Sequence, residues 1–350
     1  MKNRWLVVIV LAPAIGACSD ANWANKLSSD SVSQEQIETI SNNIEKLYPD
    51  ANDELKYKAA DVAVRAIENL VFVEGGSFEM GDFGAPCEIP SGTVHRMDWS
   101  PDAECLSSPT SVETGAANLH KVTLDSYSIS AYLTSFIDME WMRKINNLPV
   151  AADKYHDSEL IESGRISRSS SDYKHLLDVR SDQVARAKEW QEAKDYCLWI
   201  GDITGLSFDL PTETQWEYAA RSRGKNYYFS TNNGYLQLSE GQYFDPKSGY
   251  YISYEEDEVN ARNFGERTFI GQYPPNPLGI YGMTNQTSEW INDWYSPDYY
   301  SNSPEHNPQG PKTGTKKVMR DGAGTTMTFS RLYAKPILDQ YFIVSYRCAL

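Results

Sequence analysis

The stretch Leu210-Pro211-Thr212-Glu213-Thr214-Gln215-Trp216-Glu217-Tyr218-Ala219-Ala220-Arg221 decides how the rest of the chain is read. Directly after Pro211, Thr212 and Gln215 form a capping box, in which each side chain answers a backbone N–H of the other. A short helix is therefore expected over Thr212–Arg221. Upstream, Ala187, Trp190, Ala193, Tyr196, Cys197 and Trp199 recur at helical spacing, which predicts a longer helix over roughly 181–200. Outward from these two helices, from Leu70 onward, the chain runs in short segments separated by Gly, Pro and Asn, without an internal repeat. With 22 Gly, 17 Pro and 9 Trp, this describes a compact body held by aromatic packing and bound ions more than by long ladders.

The composition fits that body. Of 350 residues, 41% are hydrophobic, 23% charged and 12% aromatic, which excludes a disordered or fibrous chain. A formal charge of −16 repels phosphate backbones and anionic headgroups, so nucleic acid is not expected as a partner. A basic protein or a metal ion is the charged partner that suits it.

Lys2 and Arg4 precede an apolar run from Trp5 to Ala14, and Ile15-Gly16-Ala17 leads into Cys18. That order reads as a secretory signal over 1–17, the run being too short to span a bilayer. Small residues before a cysteine resemble the lipobox of bacterial lipoproteins, which implies that Cys18 is acylated and that the membrane is met only through this lipid anchor. By the same resemblance, Ser19 favours sorting to the periplasmic face, the inner leaflet of the outer membrane. Export changes the meaning of Cys87, Cys105, Cys197 and Cys348, since an even set in an oxidising compartment tends to pair. Three connectivities are open. Cys87 and Cys105 flank one short Pro- and Ser-containing loop that closes easily, which would leave Cys197 for Cys348.

A polar tether is expected over 18–30 and a helical appendage over 31–69. Ser33 with Gln36 opens a helix whose apolar face is Ile37, Ile40, Ile44 and Leu47, stopped by Pro49. A second helix, capped at Asp53, carries Ala59, Ala63, Ala66, Ile67 and Leu70. Two such helices cannot bury their stripes alone and must pack on the body at 70–350.

Within that body, Phe72-Val73-Glu74-Gly75-Gly76-Ser77-Phe78-Glu79-Met80-Gly81 resembles the opening strand of the formylglycine-generating-enzyme (sulfatase-modifying factor) family. His120 to Thr134 is similar to its next strands, and Trp190 through Trp199 followed by the quoted stretch to its signature. Pro275-Asn276-Pro277-Leu278-Gly279-Ile280-Tyr281-Gly282-Met283, Glu289-Trp290, Asp293-Trp294-Tyr295 and Tyr346-Arg347-Cys348 match later blocks in the family's order. The resemblance implies an α+β domain of the C-type lectin-like kind, with little regular secondary structure and a disulfide joining Cys197 and Cys348.

Activity in that family resides in two cysteines after an Arg-Gly-Gly-Ser block, whose thiolates hold copper and activate oxygen to oxidise a substrate cysteine. The matching segment is Arg320-Asp321-Gly322-Ala323-Gly324-Thr325-Thr326-Met327-Thr328-Phe329-Ser330-Arg331, which has no cysteine. Copper(I) needs soft thiolate ligands, and Met327 alone is expected to serve packing. His95, His120, His156, His175 and His306 lack the clustering that a non-haem iron site requires, so neither copper nor iron is expected. The resemblance does imply structural calcium, which takes oxygen ligands. One site would use Asn260 and the carbonyl of Ala261. A second would use the carbonyls of Asn285 and Thr287 with the carboxylate of Glu289, although Gly282 stands where the family supplies Asn or Asp.

Tyrosines among small polar residues give large contact area at low entropy cost. A partner surface is accordingly expected at Tyr250, Tyr251 and Tyr254 with the acidic Glu255 and Glu256, and at Tyr299 and Tyr300. Taken together, the chain reads as a lipoprotein that keeps the fold without the copper chemistry and binds another protein. The expected role is an immunity or inhibitor protein that neutralises a basic antibacterial toxin or effector enzyme. A metal-dependent oxidoreductase or maturation factor, or a structural envelope lipoprotein, are the alternatives.

Overall fold

The computed structural model describes residues 23–84, 110–151, 166–239, 242–245, 250–253, 269–284, 287–320, 327–338 and 344–350. Cys18, Cys87, Cys105, Tyr254, Glu255, Glu256, Asn260, Ala261 and Asn285 lie outside them.

Four of the helices build the first half of the core: α1 (Gln34–Leu47), α2 (Asp53–Glu68), α4 (Phe136–Ile145) and α6 (Trp190–Thr204). Shorter helices are α3 (Thr110–Thr114), α5 (Ser171–Arg180), α7 (Glu213–Ala220) and α8 (Tyr299–Asn302). Ser33 caps α1 by accepting the Gln36 N–H, and Asn52, one residue before the expected cap, does the same for α2 through Leu55. Ile37, Ile40 and Ile44 are buried, each contributing roughly 1.5–3 kcal/mol, while Leu47, the fourth of the stripe, is 44% exposed. The capping box at Ser33 is only half made. The Gln36 amide turns away and donates to the Thr204 carbonyl at 2.7 Å, tying α1 to the last turn of α6. α1 and α2 share one apolar cluster with α4, α6, Trp290, Tyr346 and Cys348, so the expected appendage is built into the main core.

The helix expected over 181–200 begins at Trp190 and runs to Thr204, where Gly205 takes the left-handed conformation at φ +73° and closes it. Residues 182–189 instead give their backbone groups to distant partners: Val184 bridges Ser135, Ala187 bridges Val344 and Glu189 bridges Ile337. Non-local pairing wins there over local helical bonding.

β1 (Leu70–Val73) pairs antiparallel with β4 (Tyr127–Ser130), and β2 (Gly76–Met80) with β3 (His120–Leu124). β5 (Leu236–Ser239), β6 (Gln242–Asp245) and β7 (Tyr250–Ser253) form a separate meander. The central sheet has the order β10 (Leu332–Ala334), β9 (Lys317–Arg320), β8 (Ser288–Trp294), β11 (Val344–Ser345), with β11 parallel to β8 and the other pairs antiparallel. Alternate residues of a strand face opposite sides. Trp290 and its register partner Met319 join the helical cluster, whereas Ile291 and Val318 join a second cluster made by β1 to β4 and α7. On the helical side Cys197 and Cys348 are disulfide-bonded with Cα atoms 5.5 Å apart, the pairing that the sequence led to.

Candidate functional site

α7 opens with a complete capping box: Thr212 Oγ1 accepts the Gln215 N–H, and Gln215 Oε1 accepts the Thr212 N–H at 2.9 Å. Every residue of α7 except Gln215 is buried. Glu213 and Glu217 therefore share one helix face inside the protein, where an unpaired carboxylate costs several kcal/mol. Three guanidiniums answer them. Arg331 grips Glu213 at two points, Nε to Oε1 at 2.7 Å and Nη2 to Oε2 at 2.9 Å. Arg221 donates to Glu217 Oε1 at 2.8 Å, and Arg320 Nη2 donates to Glu217 Oε2. Burial works to raise the pKa of Glu213, but Arg331 and Arg320 outweigh it and hold the carboxyl below its usual value.

Arg320 and Arg331 flank 321–326, and Arg320 Nη1 also donates to the Ser330 carbonyl at 2.8 Å. Both ends of the segment that carries the redox cysteines in the resembled family are thus fastened to one helix and to each other. Phe329 is buried against Tyr228 and Phe83, with Met327 packed on the same cluster. The clamp arginines do not deprotonate in the working range, so the clamp positions its segment without a proton to give.

Asp293, on the same face of β8 as Ile291, is the exception. Its Oδ2 accepts the Glu213 N–H at 2.9 Å, while Oδ1 is buried with no hydrogen-bond partner. Burial first, and Glu213 second, push its pKa up to about 7. Nothing in their sequence neighbourhoods marks Asp293 or the three arginines as site residues, beyond the charge at an inward position of a buried strand two residues after Ile291.

Among the described residues no free thiol is available to copper. Cys197 and Cys348 are consumed in the disulfide, and no cysteine occurs in 198–347. The second calcium site does not fit as expected either. Glu289 is buried in a two-point grip by Arg347, Nε to Oε2 at 2.7 Å and Nη2 to Oε1 at 3.0 Å, and a cation there would face a guanidinium. Thr287 directly precedes β8, and Gly282 adds no side chain. Among the described residues no group of three or more His, Cys, Asp or Glu gathers to hold a metal. Of the expected contact residues, Tyr250 and Tyr251 lie on β7, and Tyr299 is half-buried. Tyr300 corrects the expectation. At 2% exposure its ring lies under the Arg331 guanidinium, 4.1 Å away, and beside His120, so it is core and presents no surface.

The model of the sulfatase-modifying factor enzyme 1-like domain matches residues 56–335. The chain belongs to that family. It is 25% identical to the formylglycine-generating enzyme of Bos taurus over 279 residues, 68% of this chain and 69% of that one. To the inactive C-alpha-formylglycine-generating enzyme 2 of Mus musculus it is 23% identical over 236 residues, 65% of this chain and 70% of the relative. The structure of PvdO from Pseudomonas aeruginosa superposes with a TM-score of 0.50 at 20% identity, covering 80% of this chain and 93% of that one, which shows the fold. The sulfatase-modifying-factor family thus includes enzymes and a member named inactive. In this member the match begins inside α2, in keeping with that helix's place in the core.

Proposed function

We propose that this chain is a pseudoenzyme of the sulfatase-modifying-factor family that works by binding another protein. One observation carries the reading: the Arg320 and Arg331 clamp holds a segment that has no thiol to present. Without paired thiolates there is nothing to retain copper(I) or to exchange electrons with a substrate cysteine. The test is direct. The purified chain, loaded with copper(I) and given a cysteine peptide in air, is expected to bind no stoichiometric copper and to form no aldehyde. Aldehyde formation defeats the reading and favours an oxidoreductase.

The partner proposed is a basic secreted antibacterial toxin or effector enzyme, neutralised at the membrane surface by a protein anchored through Cys18 in the inner leaflet of the outer membrane. The lipobox-like start and the charge of −16 support this. Structural calcium is retained in the proposal at Asn260 and Ala261. Affinity capture from envelope extracts is expected to return one stoichiometric basic enzyme. A set of scaffold proteins in its place would favour a structural envelope role.

A further inference from the structure

Between α8 and β9 the chain forms a strap, residues 305–310, laid across Asp293. Its outer end is clipped to β3: the Thr123 N–H donates to the Glu305 carbonyl at 2.7 Å, and the Asn307 N–H to the Thr123 carbonyl at 2.9 Å. Asn307 Oδ1 accepts the Asp125 N–H at 3.0 Å. In the middle, Pro308 is buried and its carbonyl accepts Thr214 Oγ1 at 3.2 Å. At the inner end Gly310, at φ +74°, lies so close to Asp293 that a Cβ there would stand 2.7 Å from Asp293 Cβ and 2.8 Å from Oδ1. The half-buried Tyr299 lies beside that end, close to Asp293.

We infer that this strap is a proton-operated cover, closed while the Asp293 carboxyl is neutral and loosened when it ionises. Each neighbouring element contributes a group to the balance at Asp293: Glu213 from α7, Tyr299 from α8, Lys317 from β9 and Arg331 from the segment before β10. Burial and Glu213 disfavour the charge, and Arg331 and Lys317 favour it. Both cations are committed elsewhere. Arg331 is bound at two points to Glu213, and Lys317 Nζ donates to the Asn292 carbonyl at 2.8 Å while sitting on the rings of Trp190 and Trp294. Among the described residues no donor meets Oδ1. An ionised Oδ1 must therefore be reached by water. Gly310, which offers no side chain, is the part of the strap that lies directly against it.

Hydrogen exchange of the full chain, followed in peptides covering 304–311 at about pH 5.5 and about pH 8.5 and corrected for intrinsic rates, reads the cover directly. Protection is expected to fall about tenfold at the higher pH, where Asp293 is ionised. Asp293→Asn is expected to remove the step and keep the strap protected at both pH values. The exposed His306–Asp125 pair lies at the outer end, and His306→Gln is expected to leave the step intact. A step missing from the wild type, surviving in Asp293→Asn, or vanishing in His306→Gln overturns the inference. Should Asp293→Asn not fold, carbon-13 titration of the Asp293 carboxyl in the wild-type chain decides. A midpoint near 7 supports the cover, and one near the ordinary aspartate value of about 3.9 overturns it.

Discussion

The two faces of β8 look onto interiors held together by different forces. On the Trp290 side, α1, α2, α4 and α6 bury aliphatic and aromatic groups around the Cys197–Cys348 bridge. On the Ile291 side, apolar packing is interrupted by Glu213 and Glu217 with Arg221, Arg320 and Arg331, and by the Glu289–Arg347 pair. An apolar core tolerates small losses by partial collapse, whereas a buried ion pair fails abruptly when one partner goes, because the other charge is stranded. Geometric specificity follows from that intolerance. The charged side includes Arg320 and Arg331, the residues that flank 321–326.

The sharpest way to break this contrast is Glu217→Gln, which strands Arg221 and Arg320 together and is expected to cost about 3–5 kcal/mol in urea unfolding. If the network serves register more than net stability, replacing Glu217 and Arg320 jointly by apolar residues of similar volume will cost less than the single change. On the other side, replacing Cys197 and Cys348 by Ala is expected to lose about 2–4 kcal/mol, measured by unfolding with and without reductant. It leaves the fastening of 321–326 in place.

Next comes pH. Asp293 has its folded pKa raised, so the neutral form is favoured by folding and its stabilising effect is complete below the unfolded value of 3.8, then lost as pH rises to about 7. Asp293→Asn should therefore be more stable than wild type at about pH 8, by up to about 4 kcal/mol, and nearly equal to it near pH 4. Glu213 has the opposite sign. Its folded pKa is lowered, so its contribution is present above the ordinary value of 4.5 and lost as acid protonates it. The smallest effects are at the helix starts. Thr212→Ala removes a completed box and should cost about 1 kcal/mol in thermal unfolding, and Gln36→Ala, which cuts one bond from α1 to α6, about 0.5–1 kcal/mol.

What could be read in advance was local. Ser33 with its isoleucines, and Thr212 with Gln215, announce helices because the capping partners lie three residues apart. The quoted family blocks carried the fold and the Cys197–Cys348 pairing. What could not be read was non-local. The bonds of 182–189 go to Val344 and Ile337, and Glu213 meets Arg331 across a separation of 118 residues, with no periodicity to betray either. Tyr300 looked like surface because Ser and Asn surround it in sequence, yet three dimensions place Arg331 on its ring. Glu289 suited calcium by its oxygen chemistry, and Arg347 already occupies it.

The bridge between Cys197 and Cys348 spans 151 residues, and β11, which completes the central sheet beside β8, lies just before its second cysteine. A chain made from its N-terminus therefore completes α1, α2 and α6 well before their sheet partner exists. During that interval the apolar faces of these helices are bare, making synthesis the moment of greatest exposure to holding chaperones and proteases. An arrest of translation before Val344 should leave a protease-sensitive stub rather than a half-finished domain.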